Sequence, residues 1–90
     1  MNLAGFTAHA CRRLQQRAIP PHVVELLERC GSFQRCSQAD RLSFDKAAKK
    51  RLARYLGGNR ALRLIEPWLS VYAIIGDNGR VVTVGHRHRH

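Results

Sequence analysis

The sequence predicts an α+β fold in which a helical hairpin and a third helix pack on a small antiparallel sheet. Three segments in the first two thirds of the chain place apolar residues at helical spacing. The last third contains short aliphatic runs separated by turn-forming residues, which indicates strands. Because 90 residues can enclose one core and no more, we predict a single domain over residues 1–90.

A helical hairpin is predicted at the start of the chain. Its first helix runs from Thr7, a residue type that caps helix N-termini, to about Arg17. Pro20 and Pro21 break the chain and begin the second helix, which ends at Gly31. The link between the two helices is very short, so we expect them to pack side by side.

The remainder of the chain is predicted to form one more helix and several short strands. The helix spans Asp45 to Leu56, and Gly57-Gly58-Asn59 ends it. Gly76-Asp77-Asn78-Gly79 is a turn sequence typical of β-hairpins, so the strands on either side of it should pair. We expect strands within residues 32–44, 60–66, 68–75 and 80–87, the last three as an antiparallel meander.

Two aromatic residues, Tyr55 and Trp68, have two interpretations. Either ring could stack on a nucleic-acid base at the surface. Core packing is the interpretation that we favour, because Tyr55 shares the apolar stripe of the third helix and Trp68 begins an apolar run.

The charge balance is the strongest signal in the composition. Sixteen Lys and Arg residues against six Asp and Glu residues give a net charge of +10. Such a charge on a small body attracts anions, so nucleic acid, an acidic protein or an anionic membrane surface could exploit it. An arginine-rich amino-acid usage is the alternative explanation of the same balance.

Two features of the sequence bear on where the protein resides. No apolar run approaches the roughly 20 residues that a membrane-spanning helix needs. The first six residues lack the charged start and the long apolar stretch of a secretory signal peptide. We therefore expect a cytoplasmic protein without a membrane partner.

A row of basic side chains is predicted on one side of the first helix. His9, Arg13 and Arg17 are spaced four residues apart, so they lie above one another on the helix surface. An imidazole and two guanidinium groups in a row could hold one phosphate or meet successive phosphates. An ordinary solvated helix face is the alternative.

The chain ends in alternating histidines and arginines. His86, His88 and His90 would share one side of an extended strand, and Arg87 and Arg89 the other. Because imidazole titrates near neutral pH, these histidines suit proton transfer in phosphate chemistry. Metal binding and an inert cationic tail are the alternatives.

The third helix is expected to present a cationic strip of Lys46, Lys49, Lys50, Arg51 and Arg54. Such a strip can bind a nucleic-acid backbone without reading its sequence. Arg12 and Arg89 complete the predicted nucleic-acid-binding set. No cofactor and no metal are predicted, because the three cysteines form no C-x-x-C pair, the acidic residues are scattered and no phosphate-binding loop is present.

Two motifs resemble those of a known group of proteins. The run from His9 to Ile19 has the form H-A-x-x-R-x-x-x-R-x-I, and residues 81–87 have the form V-x-T-V-G-H-R. Together they resemble small bacterial proteins placed near the RelE/ParE and BrnT toxins, over nearly the whole chain. Ala18 departs from this pattern, which has glycine there, and the order of elements differs from that of RelE, which begins with a strand.

The resemblance implies helices packed on an antiparallel sheet and, for RelE-like and BrnT-like members, metal-independent cleavage of RNA by a toxin that a co-encoded antitoxin silences. The implied partners are RNA and an acidic antitoxin protein, with the ribosome left open. ParE-type members are similar in fold yet act on DNA gyrase, so a non-catalytic nucleic-acid- or protein-binding module remains the alternative. The matching positions are His9, Arg13, Arg17, Thr83, His86 and Arg87.

The hypothesis that follows is an endoribonuclease toxin. His9 or His86 would accept the proton of a ribose 2′-hydroxyl, whose oxygen then attacks the adjacent phosphorus. Another group, an imidazolium, would protonate the leaving 5′-oxygen. Arg13, Arg17 and Arg87 would stabilise the negative charge that develops on the phosphate.

Overall fold

The computed structural model of the protein describes residues 5–87 and has the α+β architecture that the sequence predicts. Helices pack on one four-stranded antiparallel sheet. In chain order the elements are α1 (Ala8–Gln16), α2 (Pro21–Cys30), β1 (Ser32–Cys36), β2 (Ala39–Ser43), α3 (Lys46–Leu56), α4 (Asn59–Leu64), a short 3₁₀ helix (Glu66–Trp68), β3 (Val71–Gly76) and β4 (Val81–His86).

The three predicted helices are confirmed, and local chemistry explains where they begin. The Thr7 hydroxyl accepts a hydrogen bond from the Ala10 N–H at 3.1 Å, which caps α1. Asp45 caps α3 in the same way, through the Ala48 N–H at 2.8 Å. Pro21 occupies the first turn of α2, where its missing N–H removes no helical hydrogen bond. The starts of the three helices are therefore specified by short-range sequence signals. In the folded chain α1 packs on β4, whereas α2 packs on α3 and β3.

The sheet has the strand order β1-β2-β3-β4, with every neighbouring pair antiparallel. Two hairpins form it, and the segment containing α3 and α4 connects them. At the outer edge of β4, the Val81 N–H donates a hydrogen bond to the Gly5 carbonyl at 2.8 Å. The Val81 carbonyl accepts a hydrogen bond from the Thr7 N–H at 2.9 Å. Gly5 and Thr7 are therefore attached to β4, and α1, which follows them, contacts the same strand.

The two faces of the sheet differ in burial. Leu42, Val71, Ala73 and Val84 are almost fully buried beneath the helices, and they join the single hydrophobic core. Their neighbours along each strand point to the other side, because successive side chains of a strand alternate. We call this second surface the open face; its side chains, all at least partly exposed, include those of Gln34, Arg41, Ser43, Tyr72, Ile74 and Thr83.

The prediction of a strand at residues 60–66 is wrong. This segment forms α4, and the 3₁₀ helix follows it, so the predicted three-stranded meander is replaced by the hairpins β1–β2 and β3–β4. Leu62 and Leu64 suggested alternation, but Leu64 is 77% exposed, whereas Leu62 and Ile65 pack against the core. The partly buried residues Leu62 and Ile65 are three positions apart, a spacing that fits a helix and not a strand.

Trp68 and Tyr55, which were both expected to pack in the core, differ in burial. Trp68 is partly buried against the core, as expected, although it belongs to the 3₁₀ helix and not to a strand. Tyr55 was expected in the core and is 54% exposed, which corrects that expectation. The next residue, Leu56, packs against the core instead, and the Arg29 guanidinium lies 5.8 Å from the Tyr55 ring centre.

None of the helices in residues 5–87 is long and apolar enough to cross a membrane.

Candidate functional site

A polar cleft lies between α1 and the β3–β4 hairpin, and we call it the α1–β4 cleft. It has a volume of about 120 Å³. It brings together two segments that are some 70 residues apart in the chain and that the sequence analysis selected separately. Its lining residues are Arg13, Arg17, Tyr72, Thr83, Val84, Gly85 and His86.

The basic row of α1 supplies the cationic wall of the cleft. Arg13 and Arg17 both line it, one helical turn apart. His9, the third member of the row, does not line it; its Nε2 accepts a hydrogen bond from Arg13 Nε at 3.4 Å. Because Arg13 and Arg17 follow Ala10 by three and seven residues, they lie beside the buried side of α1, and the packing of α1 on β4 brings both arginines to the cleft.

His86 lies at the end of β4, beside the first residues of β3. Its Nδ1 lies 2.7 Å from the hydroxyl oxygen of Ser70, and it pairs with Val71 across the two strands. The engagement of Nδ1 leaves Nε2 as the ring nitrogen available for proton exchange with a ligand. Thr83, the other predicted polar residue of β4, lines the cleft with it.

Tyr72 is a lining residue that no sequence motif indicates. It pairs with Gly85, and a Cβ atom at Gly85 would lie 3.2 Å from the Tyr72 ring and from its hydroxyl oxygen. The missing side chain of Gly85 therefore provides the space in which the Tyr72 ring lies across β4. The sequence contains no local signal for this arrangement, because it depends on the pairing register of two strands.

Arg87 is not among the residues that line the cleft. Its guanidinium donates to the Phe44 carbonyl at 3.1 Å, and its backbone N–H donates to the Ser70 carbonyl at 2.7 Å. Within residues 5–87 its Nε is buried without a hydrogen-bond partner. These contacts attach the end of β4 to the segments before α3 and β3, which gives Arg87 a structural role, and its predicted contact with a phosphate stays a prediction.

The predicted cationic strip is present on α3, although its residues differ in exposure and in their hydrogen bonds to the rest of the protein. Lys46, Lys50 and Arg54 are exposed, and Lys49 is partly buried. The Arg51 guanidinium is committed to the protein itself: it donates to the Cys30 carbonyl at 3.0 Å and to the Ser32 hydroxyl at 2.9 Å. The remaining predicted nucleic-acid-binding residues are Arg12, which is exposed, and Arg89, which with His88 and His90 lies outside the described residues.

The acidic residues are all placed away from the α1–β4 cleft. None of the six, which all fall within residues 5–87, lines it. Asp77 and Asp40 instead pair with Arg35 at 2.8 and 3.4 Å, and these contacts raise the pKa of its guanidinium. The cleft therefore carries two arginines without a neighbouring carboxylate, which favours an anionic ligand.

Asp45 is the second group whose pKa is shifted. Its Oδ1 accepts hydrogen bonds from the Ser32 hydroxyl at 2.7 Å and from the Ala48 N–H, and these bonds lower the pKa of its carboxyl group. The nearby positive charges of Arg51 and Arg87 act in the same direction. This carboxylate connects β1 with the start of α3.

Over the described part of the chain, no three His, Cys, Asp or Glu side chains form a group that could hold a metal ion. No protein-family model matches the chain, and neither a curated protein nor a solved structure matches it.

Proposed function

We propose that this protein is an endoribonuclease that binds an RNA phosphodiester in the α1–β4 cleft and cleaves it by attack of the ribose 2′-oxygen. The observation that carries the proposal is the meeting of Arg13 and Arg17 with His86 in one polar cleft without a carboxylate. Two guanidinium groups suit a phosphate, and an imidazole suits the proton transfer that activates a hydroxyl.

Each step of the reaction can be assigned to groups of the cleft or to solvent. The Nε2 of His86 accepts the 2′-hydroxyl proton while Ser70 holds Nδ1, and the 2′-oxygen forms a bond to the adjacent phosphorus. Arg13 and Arg17 stabilise the charge on the non-bridging oxygens. The bond from phosphorus to the 5′-oxygen then breaks, and that oxygen takes a proton from water. The products are a 2′,3′-cyclic phosphate and a 5′-hydroxyl.

His86 replaces the earlier choice between His9 and His86 as the base. Among the described residues, it is the histidine that lines the cleft, whereas the Nε2 of exposed His9 already accepts a hydrogen bond from Arg13. His9 is assigned the supporting role of orienting the Arg13 side chain.

The wider biological role that we propose is that of the toxin of a bacterial toxin–antitoxin system. The resemblance of the two motifs to RelE-like and BrnT-like proteins supports this role, as does the net charge of +10, which suits an acidic antitoxin. A small acidic protein encoded beside this gene is the expected companion. Its binding should weaken as salt screens the contact.

Cleavage of a labelled single-stranded RNA by the purified protein, with DNA of the same sequence as the control, tests the proposal. We expect cuts in the RNA alone, and impaired cutting by Arg13→Ala and by Arg17→Ala. Arg60→Ala removes an exposed arginine outside the cleft and should leave the rate unchanged. If the protein arrests cell growth but never cuts RNA, a ParE-like inhibitor of an enzyme replaces this proposal.

A further inference from the structure

The α1–β4 cleft can accept a phosphate group but not a whole nucleotide. Its volume is about 120 Å³, whereas pockets for drug-sized ligands enclose about 300–1,000 Å³. The nucleoside attached to a phosphate in the cleft must therefore lie on the neighbouring surface. The open face is that surface, because Tyr72 and Thr83 belong both to it and to the lining of the cleft.

A flat platform lies on the open face next to the cleft. The guanidinium carbon of Arg41 lies over the Tyr72 ring, 4.6 Å from its centre. The ring itself is held against Gly85, where no side chain intervenes. Ile74, which pairs with Arg41 and with Thr83, extends the same surface with an apolar side chain. Planar guanidinium groups and aromatic rings are the surfaces on which unpaired bases stack.

The Arg41 guanidinium is available to a ligand. It forms no salt bridge with any acidic side chain in residues 5–87, in contrast to Arg35, which is paired with two aspartates. Asp40 precedes Arg41 but points to the other side of the sheet, since neighbouring residues of a strand alternate. The platform therefore combines a flat surface with a positive charge at the mouth of a cleft that is itself cationic.

We propose that Arg41 and Tyr72 form a nucleobase subsite, on which the nucleotide adjoining the cleft-bound phosphate stacks its base. The subsite rests on the proposed function and specifies its substrate as single-stranded RNA. A base within a duplex is already stacked between its neighbours and cannot lie flat on this surface. Stacking needs no particular base edge, so the subsite selects unpaired nucleotides and not a sequence.

Equilibrium binding to three probes tests the subsite without any cleavage step. The probes are inorganic phosphate, a short 2′-O-methyl oligouridylate that cannot be cleaved, and the same oligomer with abasic sugars. Arg41→Ala removes both the positive charge and the planar guanidinium group, whereas Arg41→Lys keeps the charge and loses the planar group. Arg63→Ala is a control at an exposed arginine of α4. Circular dichroism checks that each variant is folded.

The expected result is a selective loss. Arg41→Lys should bind the base-bearing oligomer about tenfold more weakly than wild type. It should bind phosphate and the abasic oligomer as wild type does, and Arg63→Ala should match wild type with all three probes.

Two results would overturn the subsite alone. Wild-type affinity of Arg41→Lys for the base-bearing oligomer would show that no base stacks on the Arg41 guanidinium. Equal binding of the base-bearing and abasic oligomers by wild type would show that no base is bound, while leaving the phosphate site intact. If wild type binds none of the three probes, the proposed function itself fails together with the subsite.

Discussion

His86 is oriented by contacts of its neighbour Ser70. The Ser70 hydroxyl oxygen lies 2.7 Å from the Nδ1 atom of His86. The Ser70 carbonyl accepts a hydrogen bond at 2.7 Å from the backbone N–H of Arg87, which follows His86 in the chain. One serine therefore contacts both the imidazole and the backbone beyond it. Preorganisation of this kind is what a general base needs, because a small displacement of the base can greatly reduce the rate.

We predict that His86→Ala lowers the rate of RNA cleavage by about 10²–10⁴, the usual effect of losing a general base. His9→Ala should have a smaller effect, because His9 contacts Arg13 but does not line the cleft. His22→Ala, at a side chain that is 79% exposed on α2, serves as the matched control. Initial rates with purified protein measure all three, and a folded His86→Ala protein with wild-type activity would rule out this base.

Ala18 stores backbone strain at the end of α1. It has a φ of 52°, in the left-handed region that residues with a Cβ atom rarely adopt. Glycine adopts this conformation without a steric penalty. We therefore predict that Ala18→Gly raises the free energy of unfolding by about 1 kcal/mol, after the greater freedom of glycine in the unfolded chain is subtracted.

Urea denaturation of wild type and Ala18→Gly measures this change. Ala8→Gly, at the first residue of the same helix, is the control and should not stabilise the protein. Equal or lower stability of Ala18→Gly would show that the strain at this turn is relieved by other contacts.

At the scale of elements, the start of α3 links stability to pH. Folding lowers the pKa of the Asp45 carboxyl group below its ordinary value of 3.8, because Ser32 and the Ala48 N–H bind the carboxylate. The stabilisation is therefore fully present above 3.8 and is lost as the pH falls through the folded-state pKa, which lies below 3.8.

We predict that Asp45→Asn is less stable than wild type at neutral pH and that the difference narrows as the pH falls below 3.8. Urea unfolding over a pH series measures the difference. Glu28→Gln, an exposed carboxylate of α2 without a salt bridge among the described residues, is the control. A difference that stays constant with pH would mean that the charge of Asp45 does not stabilise the cap.

The exposed part of the α3 strip should contribute to RNA binding without selecting a sequence. We predict that Lys46→Ala with Lys50→Ala weakens binding of several unrelated RNA sequences by the same factor and reduces the salt dependence of the affinity. Titrations at two salt concentrations measure both effects. A change in the position of the cut sites would show that the strip also reads bases.

The helices could be predicted from sequence because their signals are local. Thr7, Pro21 and Asp45 each define a helix start through a hydrogen bond or a missing N–H within one turn. The segment of α4 was misassigned because six residues with leucines at positions 62 and 64 do not distinguish the two periodicities. The contacts of Ile65 with the core, which favour a helix over a strand in this segment, form only in the folded chain.

At the scale of the whole molecule, the site forms only when distant segments meet. The sequence indicated Arg13, Arg17, Thr83 and His86 from two separate motifs, and the fold places all four in one cleft. The place of Tyr72 in the cleft could not be predicted, because it depends on the strand register. The bond from Arg87 to the Phe44 carbonyl could not be predicted either, because it joins segments that are distant in the chain. The residue types in the sequence indicate which side chains suit phosphate chemistry, whereas the tertiary structure determines which of them line the cleft.

The chemical ends of the RNA products test the central claim most directly. Cleavage by 2′-oxygen attack in the α1–β4 cleft predicts a 2′,3′-cyclic phosphate and a 5′-hydroxyl, formed by wild type in the presence of a metal chelator. The same RNA carrying a 2′-O-methyl group at the cut site should stay intact, and His86→Ala should produce neither end at a comparable rate. Products ending in a 3′-hydroxyl and a 5′-phosphate, or cleavage of the methylated RNA, would contradict the account.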